Sequence, residues 1–88
     1  MADYSVTFAR SARKELQKLP STLTRRIIEH VDALTKNPRP SGAVKLKGNK
    51  NLWRIRIGDY RVIYGIDDSA HLVDISAIRN RRDAYFDL

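Results

Sequence analysis

Leu52-Trp-Arg-Ile-Arg-Ile-Gly-Asp-Tyr-Arg-Val-Ile-Tyr-Gly-Ile66 reads as two strands joined by a two-residue turn, Gly58-Asp59. Such a dipeptide between alternating apolar residues is a strong short-range hairpin signal. Counting back from the turn sets the register. Ile57 faces Tyr60, Arg56 faces Arg61, Ile55 faces Val62 and Arg54 faces Ile63. Side chains alternate across a strand, so Trp53, Ile55, Ile57, Tyr60, Val62, Tyr64 and Ile66 point together at a core. Arg54, Arg56 and Arg61 share the opposite face. Like charges directly opposed across a sheet are destabilising, so a surface built this way is suited to holding an anion.

The flanking sequence extends this sheet. Tyr4, Val6 and Phe8 alternate with Ser5 and Thr7, the pattern of a short first strand. Ala12, Leu16 and Leu19 then form a helical stripe, with Arg13, Lys14, Gln17 and Lys18 turned outward and Pro20 as the stop. Ser21 is placed to cap a second helix whose stripe is Leu23, Ile27, Val31 and Leu34, closed before Asn37-Pro38. The short connection predicts that the two helices pack as an antiparallel hairpin. Ala43 to Lys47 predicts a short strand, and Gly48 to Asn51 a turn. After a turn at Asp67 to Ala70, a last strand runs from His71 to Ile78. Its predicted register sets Ile66 against His71, Tyr64 against Val73, Val62 against Ile75 and Arg61 against Ser76. Val73, Ile75 and Ala77 would extend the apolar face, and Asp74 and Ser76 the cationic one. The expected fold is α+β: a small antiparallel twisted sheet, an N-terminal strand plus three or four C-terminal strands, with the helical hairpin on one face.

The 88 residues are expected to form a single domain, 1–88, with a modest core. The absence of cysteine excludes disulfides and thiolate-held zinc, and fits a reducing cytoplasm. No apolar run approaches the roughly 20 residues that span a bilayer, and Met1 to Ser5 lacks the pattern of a secretory signal. The net charge of +7, from 17 Lys and Arg against 10 Asp and Glu, favours a polyanion: nucleic acid, an acidic protein or a membrane surface. His30 and His71 fall on different elements with no second ligand at useful spacing, which disfavours a metal centre. No Gly-x-Ser-x-Gly elbow or phosphate-cradling glycine loop is present.

The cationic face is therefore the candidate site. Arg79-Asn-Arg-Arg-Asp-Ala-Tyr85 follows the last strand and would bring Arg79, Arg81 and Tyr85 to it. A guanidinium matches phosphate through two parallel charge-assisted hydrogen bonds. A neighbouring tyrosine can stack on a base. The competing reading is a set of solvated strand arginines balanced by Asp59, Asp74 and Asp83.

The chain resembles the RelE/ParE superfamily of toxins from bacterial toxin–antitoxin modules. The resemblance rests on Phe8-Ala-Arg-Ser-Ala-Arg-Lys-Glu-Leu-Gln-Lys-Leu19, Lys45-Leu-Lys-Gly48, the Leu52 to Tyr64 hairpin, and Arg79 to Tyr85. RelE-like members cleave mRNA in the ribosomal A site, whereas ParE-like members inhibit DNA gyrase by protein contact. The resemblance favours the RelE-like branch. It implies Arg54, Arg56, Arg61, Arg79 and Tyr85 as catalytic residues, with Lys45, Lys47, Arg81 and Arg82 as RNA contacts. It also implies metal-free chemistry without a cofactor, in which the ribose 2′-OH attacks the adjacent phosphate and the 5′-oxygen leaves. The expected partners are an acidic cognate antitoxin, held in a hetero-oligomer, and the ribosome with its mRNA. A catalytically degenerate toxin that only binds its antitoxin is a further alternative. The best-known member has lysines at the positions matching Arg54 and Arg56. A guanidinium stays protonated and cannot be a base, so Tyr85 is the substitute expected for that role.

Overall fold

The structure, a computed structural model, describes residues 3–48 and 51–80. Their order is β1 (Ser5–Phe8), α1 (Arg10–Gln17), α2 (Ser21–Ala33), β2 (Val44–Lys45), β3 (Leu52–Ile57), β4 (Tyr60–Asp67) and β5 (Leu72–Asn80). The strands form one sheet in the order β1-β5-β4-β3-β2. All neighbours are antiparallel except β1, which runs parallel to β5 with Val6 beside Val73 and Phe8 beside Ile75. A parallel neighbour needs a long crossover, and the two helices lie within that connection.

The central hairpin has the register counted from the sequence, from Ile57↔Tyr60 through Arg56↔Arg61 to Arg54↔Ile63. Gly58 takes φ 60 while Asp59 stays out of the left-handed region, the pattern of a II′ turn, whose twist suits paired strands. An added Cβ on Gly58 would meet only the Arg26 guanidinium, at 3.6 Å, so the turn needs glycine for its dihedral rather than for space.

The apolar face packs as expected. Ile55, Ile57, Val62, Tyr64 and Ile66 are buried with Val73, Ile75 and Ile78, and Trp53 and Tyr60 pack partly buried at the margin. Ala12 of α1 and Ile27, Val31 and Leu34 in and just beyond α2 close the core from the other side. Tyr64 is the largest fully buried side chain. Its hydroxyl donates to the Pro38 carbonyl at 2.7 Å, which answers the polar end of a ring otherwise surrounded by hydrocarbon.

Several local expectations are corrected. Ser21 is the first helical residue rather than the cap; Pro20 holds the cap position and no side chain bonds there. Thr24 makes the polar link back to the first helix, with Oγ1 donating to the Leu16 carbonyl at 3.2 Å. The second helix ends at Ala33, before the Asn37-Pro38 boundary. The Ala43 to Lys47 strand shrinks to two residues. His71 is not in a strand: it sits exposed at φ 51, a turn conformation for which histidine is among the more tolerant residues.

The last strand departs most from expectation. Asp67 pairs with Leu72, and Tyr64 with Ile75, two positions beyond the predicted partner. An irregularity then falls between Ile63 and Tyr64, because Ala77 is the partner of Ile63, and Ser76 is left over as a bulge. The apolar positions give the reason. Val73 and Ile75 keep period two, but the next core residue is Ile78, three positions on. The bulge absorbs the extra residue and returns Ile78 to the core. It therefore moves Ala77 off the apolar face, correcting its predicted place.

Candidate active site

The same bulge builds the cationic face. Period two from Val73 would carry Arg79 onto the core side. With Ser76 bulged, Arg79 instead lies directly opposite Arg61, which lies directly opposite Arg56. Three arginines from three adjacent strands thus form one row across the sheet. Strand spacing places their backbones within about 10 Å of one another. Arg79 belongs to β5 itself, not to a segment that begins after it. Arg54 occupies the next row, with Ile63 and Ala77.

Arg56 is exposed, Arg54 and Arg79 are half-buried, and Arg61 is 8% exposed. Neither Arg61 nor Arg79 is without an interaction partner. The picture of uniformly solvated arginines therefore fails at the centre of the row, where Arg61 and the adjacent Ile63 are both buried. Asp74, expected beside these groups, accepts a hydrogen bond from Thr7 Oγ1 at 2.9 Å. Its row holds Gly65 and Leu52, about 13 Å along the strand from the arginines.

The other predicted residues are more scattered. Lys45 pairs with Trp53 and so shares the core-side register, not that of Arg54. Lys47 is exposed in the loop beyond β2. Arg81, Arg82 and Tyr85 lie outside the described residues, as does Asp83. His30 projects from α2 with Nδ1–H donating to the Arg26 carbonyl at 2.9 Å.

A second polar cluster, not foreseen from the sequence, sits at the opposite end of the hairpin. Arg39 makes a two-pronged contact with Asp68, at 3.2 and 2.9 Å, while its guanidinium lies 5.3 Å from the Trp53 ring centre. Tyr4 donates its hydroxyl to the same carboxylate at 2.6 Å and meets the His71 ring edge-on at 5.1 Å. Hydrogen bonds from Arg39, then from Tyr4, hold the Asp68 carboxyl below the usual carboxylate range. The hydrogen bond to Asp68 raises the Tyr4 phenol. Burial pushes the Tyr64 phenol up to about 12, partly opposed by the charge of Arg39. This cluster ties Tyr4, just before β1, to Arg39 in the loop after α2 and to Asp68 and His71 in the turn after β4. Its members lie far apart in sequence, so no local pattern announced it.

The described residues thus form a five-stranded sheet with two N-terminal helices and a row of arginines across three of its strands. Residues 6–85 match the family profile described as ParE toxin of type II toxin–antitoxin system, parDE. Toxin RelE of Mycobacterium tuberculosis (strain ATCC 25618 / H37Rv) is 36% identical over 83 residues, covering 93% of this chain and 86% of the relative. Among solved structures, the archaeal RelE–RelB complex from Pyrococcus horikoshii OT3 superposes with a TM-score of 0.81 at 34% identity, over 90% of this chain and 96% of that one. The intact E. coli RelBE toxin–antitoxin complex gives 0.78 at 25% identity, over 88% and 95%. The chain belongs to the RelE/ParE toxin superfamily and is a type II toxin of the RelE family.

Proposed function

We infer that this chain, acting as one domain over 1–88, is a ribosome-dependent mRNA endonuclease that arrests translation in the cytoplasm. The observation that carries this reading is the row Arg56–Arg61–Arg79, three guanidiniums on one register of three strands. Such a row suits a phosphate whose negative charge grows during reaction. The ribose 2′-oxygen attacks the adjacent phosphorus, its proton passes to a base, the bond to the 5′-oxygen breaks, and that oxygen takes up a proton. Guanidiniums fixed on a sheet stabilise the charge gathered on the non-bridging oxygens without reorganising as it develops. Arg61, central and buried, holds the phosphate with Arg79. Arg56 and Arg54 extend the cationic surface along the strand. As guanidiniums they supply charge rather than take the proton; Tyr85 is assigned the proton transfer or a stack against a base. Arg81, Arg82 and Lys47 contribute further contacts to the transcript.

The complexes of relatives are described with RelB antitoxins. By the same logic, an acidic antitoxin holds this +7 chain inactive in a hetero-oligomer. The matching family profile carries the name of the ParE branch, which favours a second reading: a gyrase inhibitor acting by protein contact. Inducible expression followed by mapping of transcript ends in translating cells separates the two. Cuts within translated mRNA that vanish in Arg61→Ala support the nuclease. DNA damage with intact mRNA, unaffected by Arg61→Ala, supports the inhibitor.

A further inference from the structure

A cavity of about 470 Å³ lies at the edge of β3, lined by His30, Ala33, Pro40, Ser41, Gly42, Ile55 and, from the arginine row, Arg56. We propose that it is a nucleobase pocket, seating one base of the RNA strand whose phosphate the arginine row grips. The proposal rests on the nuclease reading above and deepens it.

The edge itself provides the first argument. β2 pairs with β3 only at Val44↔Arg54 and Lys45↔Trp53. Continuing that ladder would set Gly42 opposite Arg56. Instead the Gly42 and Ala43 amides both turn back to the Pro40 carbonyl, at 3.0 and 2.9 Å. Among the described residues, Arg56 therefore has no strand partner on that side. The Leu52 carbonyl points to this edge, because it accepts from the Leu46 amide at 2.9 Å. By the two-residue period, the N–H and C=O of Arg56 point there too. They offer one donor and one acceptor side by side, the pattern that matches the donor–acceptor edge of a base.

The walls provide the second. Ala33, Pro40 and Ile55 present hydrocarbon to a flat ring. His30 also lines the cavity, and because a carbonyl can only accept, its Nδ1 carries the hydrogen of the bond to Arg26. The charge is complementary as well. Arg56 belongs both to the lining and to the row, so the cavity and the row meet at that residue. A base there would be read by shape and edge, giving the cut a nucleotide preference that phosphate contacts alone cannot supply.

Gly42 makes the idea testable without disturbing the fold. It lines the cavity, its backbone is outside the left-handed region, and an added Cβ would meet nothing within 4 Å. Gly42→Leu should fold with an unchanged melting temperature while filling the space. The probe is a ribosome holding in its A site a short mRNA with non-cleavable 2′-methoxy sugars, together with a set in which each base in turn is removed. Removal of one particular base should weaken binding to the native chain about ten-fold, the loss of one well-held base. Gly42→Leu should bind the intact RNA about ten-fold more weakly and ignore that removal. If no single base matters while Arg61→Ala still weakens binding, the pocket is overturned and the phosphate grip stands. If Gly42→Leu senses the missing base as the native chain does, the base sits elsewhere and the pocket is overturned. If binding to the programmed ribosome is absent or indifferent to Arg61→Ala, the nuclease reading fails and the pocket with it.

Discussion

Arginine is used in two opposite ways at the two ends of the hairpin. At the Trp53 end, Arg39 meets a carboxylate in a two-pronged contact, lies near an indole ring, and shares its partner with a tyrosine. That cation is neutralised by a geometry that joins four parts of the chain. At the turn end, Arg56, Arg61 and Arg79 lie in register across three strands, with the central one buried. Opposed like charges cost stability in a sheet, and no arginine is required there to fill a core. The first arrangement holds the fold together. The second sets three like charges in one register, the feature on which the proposed phosphate grip rests.

The largest expected effect falls on the row. Arg61→Ala should lower the cleavage rate about 100- to 1000-fold, the usual loss for one oriented transition-state donor. Arg39→Ala should leave the rate per folded molecule unchanged and lower the melting temperature instead. Transcript-end counts and thermal unfolding on the same two variants check both halves. Equal losses of cleavage in the two would erase the distinction.

Tyr64→Phe should come next. It strands the buried Pro38 carbonyl without opening a cavity, and an unmet buried acceptor costs about 1–3 kcal/mol. Urea unfolding should show that loss with no change in cleavage by the folded fraction.

The pH response should be smaller and has opposite signs at the two limits. The Asp68 carboxyl is depressed in the folded chain. Its contribution is present above the unfolded value of about 4 and lost as pH falls through the folded one. Asp68→Asn should flatten that part of the acid limb. The Tyr64 phenol is raised to about 12, so its contribution is intact below the ordinary value of about 10 and fades as pH climbs toward 12. Tyr64→Phe should remove that alkaline limb. Unfolding midpoints across pH for the two variants measure each limb separately.

The sequence was most informative where interactions are local. The Gly58-Asp59 turn fixes the hairpin register by counting, and alternation then separates Ile55, Val62 and Tyr64 from Arg54, Arg56 and Arg61. The helical stripes of Ala12 and of Ile27, Val31 and Leu34 were equally readable. The last strand was not, because its register depends on a loop whose end residue, His71, takes φ 51, and on a bulge. The bulge did leave a trace: the three-residue step from Ile75 to Ile78 breaks the period of a regular strand. Reading that step would have placed Arg79 opposite Arg61. The parallel course of β1 and the Arg39–Asp68–Tyr4 cluster are products of tertiary packing between distant segments, which periodicity does not encode.

The row's grip on a phosphate is most directly tested by side-chain NMR. Arginine Nε–Hε signals of the native chain would be followed as non-cleavable RNA is added. The signals of Arg56, Arg61 and Arg79 should move together, saturating at one RNA concentration, while Arg39 stays in place. A titration that shifts arginines elsewhere, such as Arg13 or Arg25, and leaves those three unmoved would contradict the account.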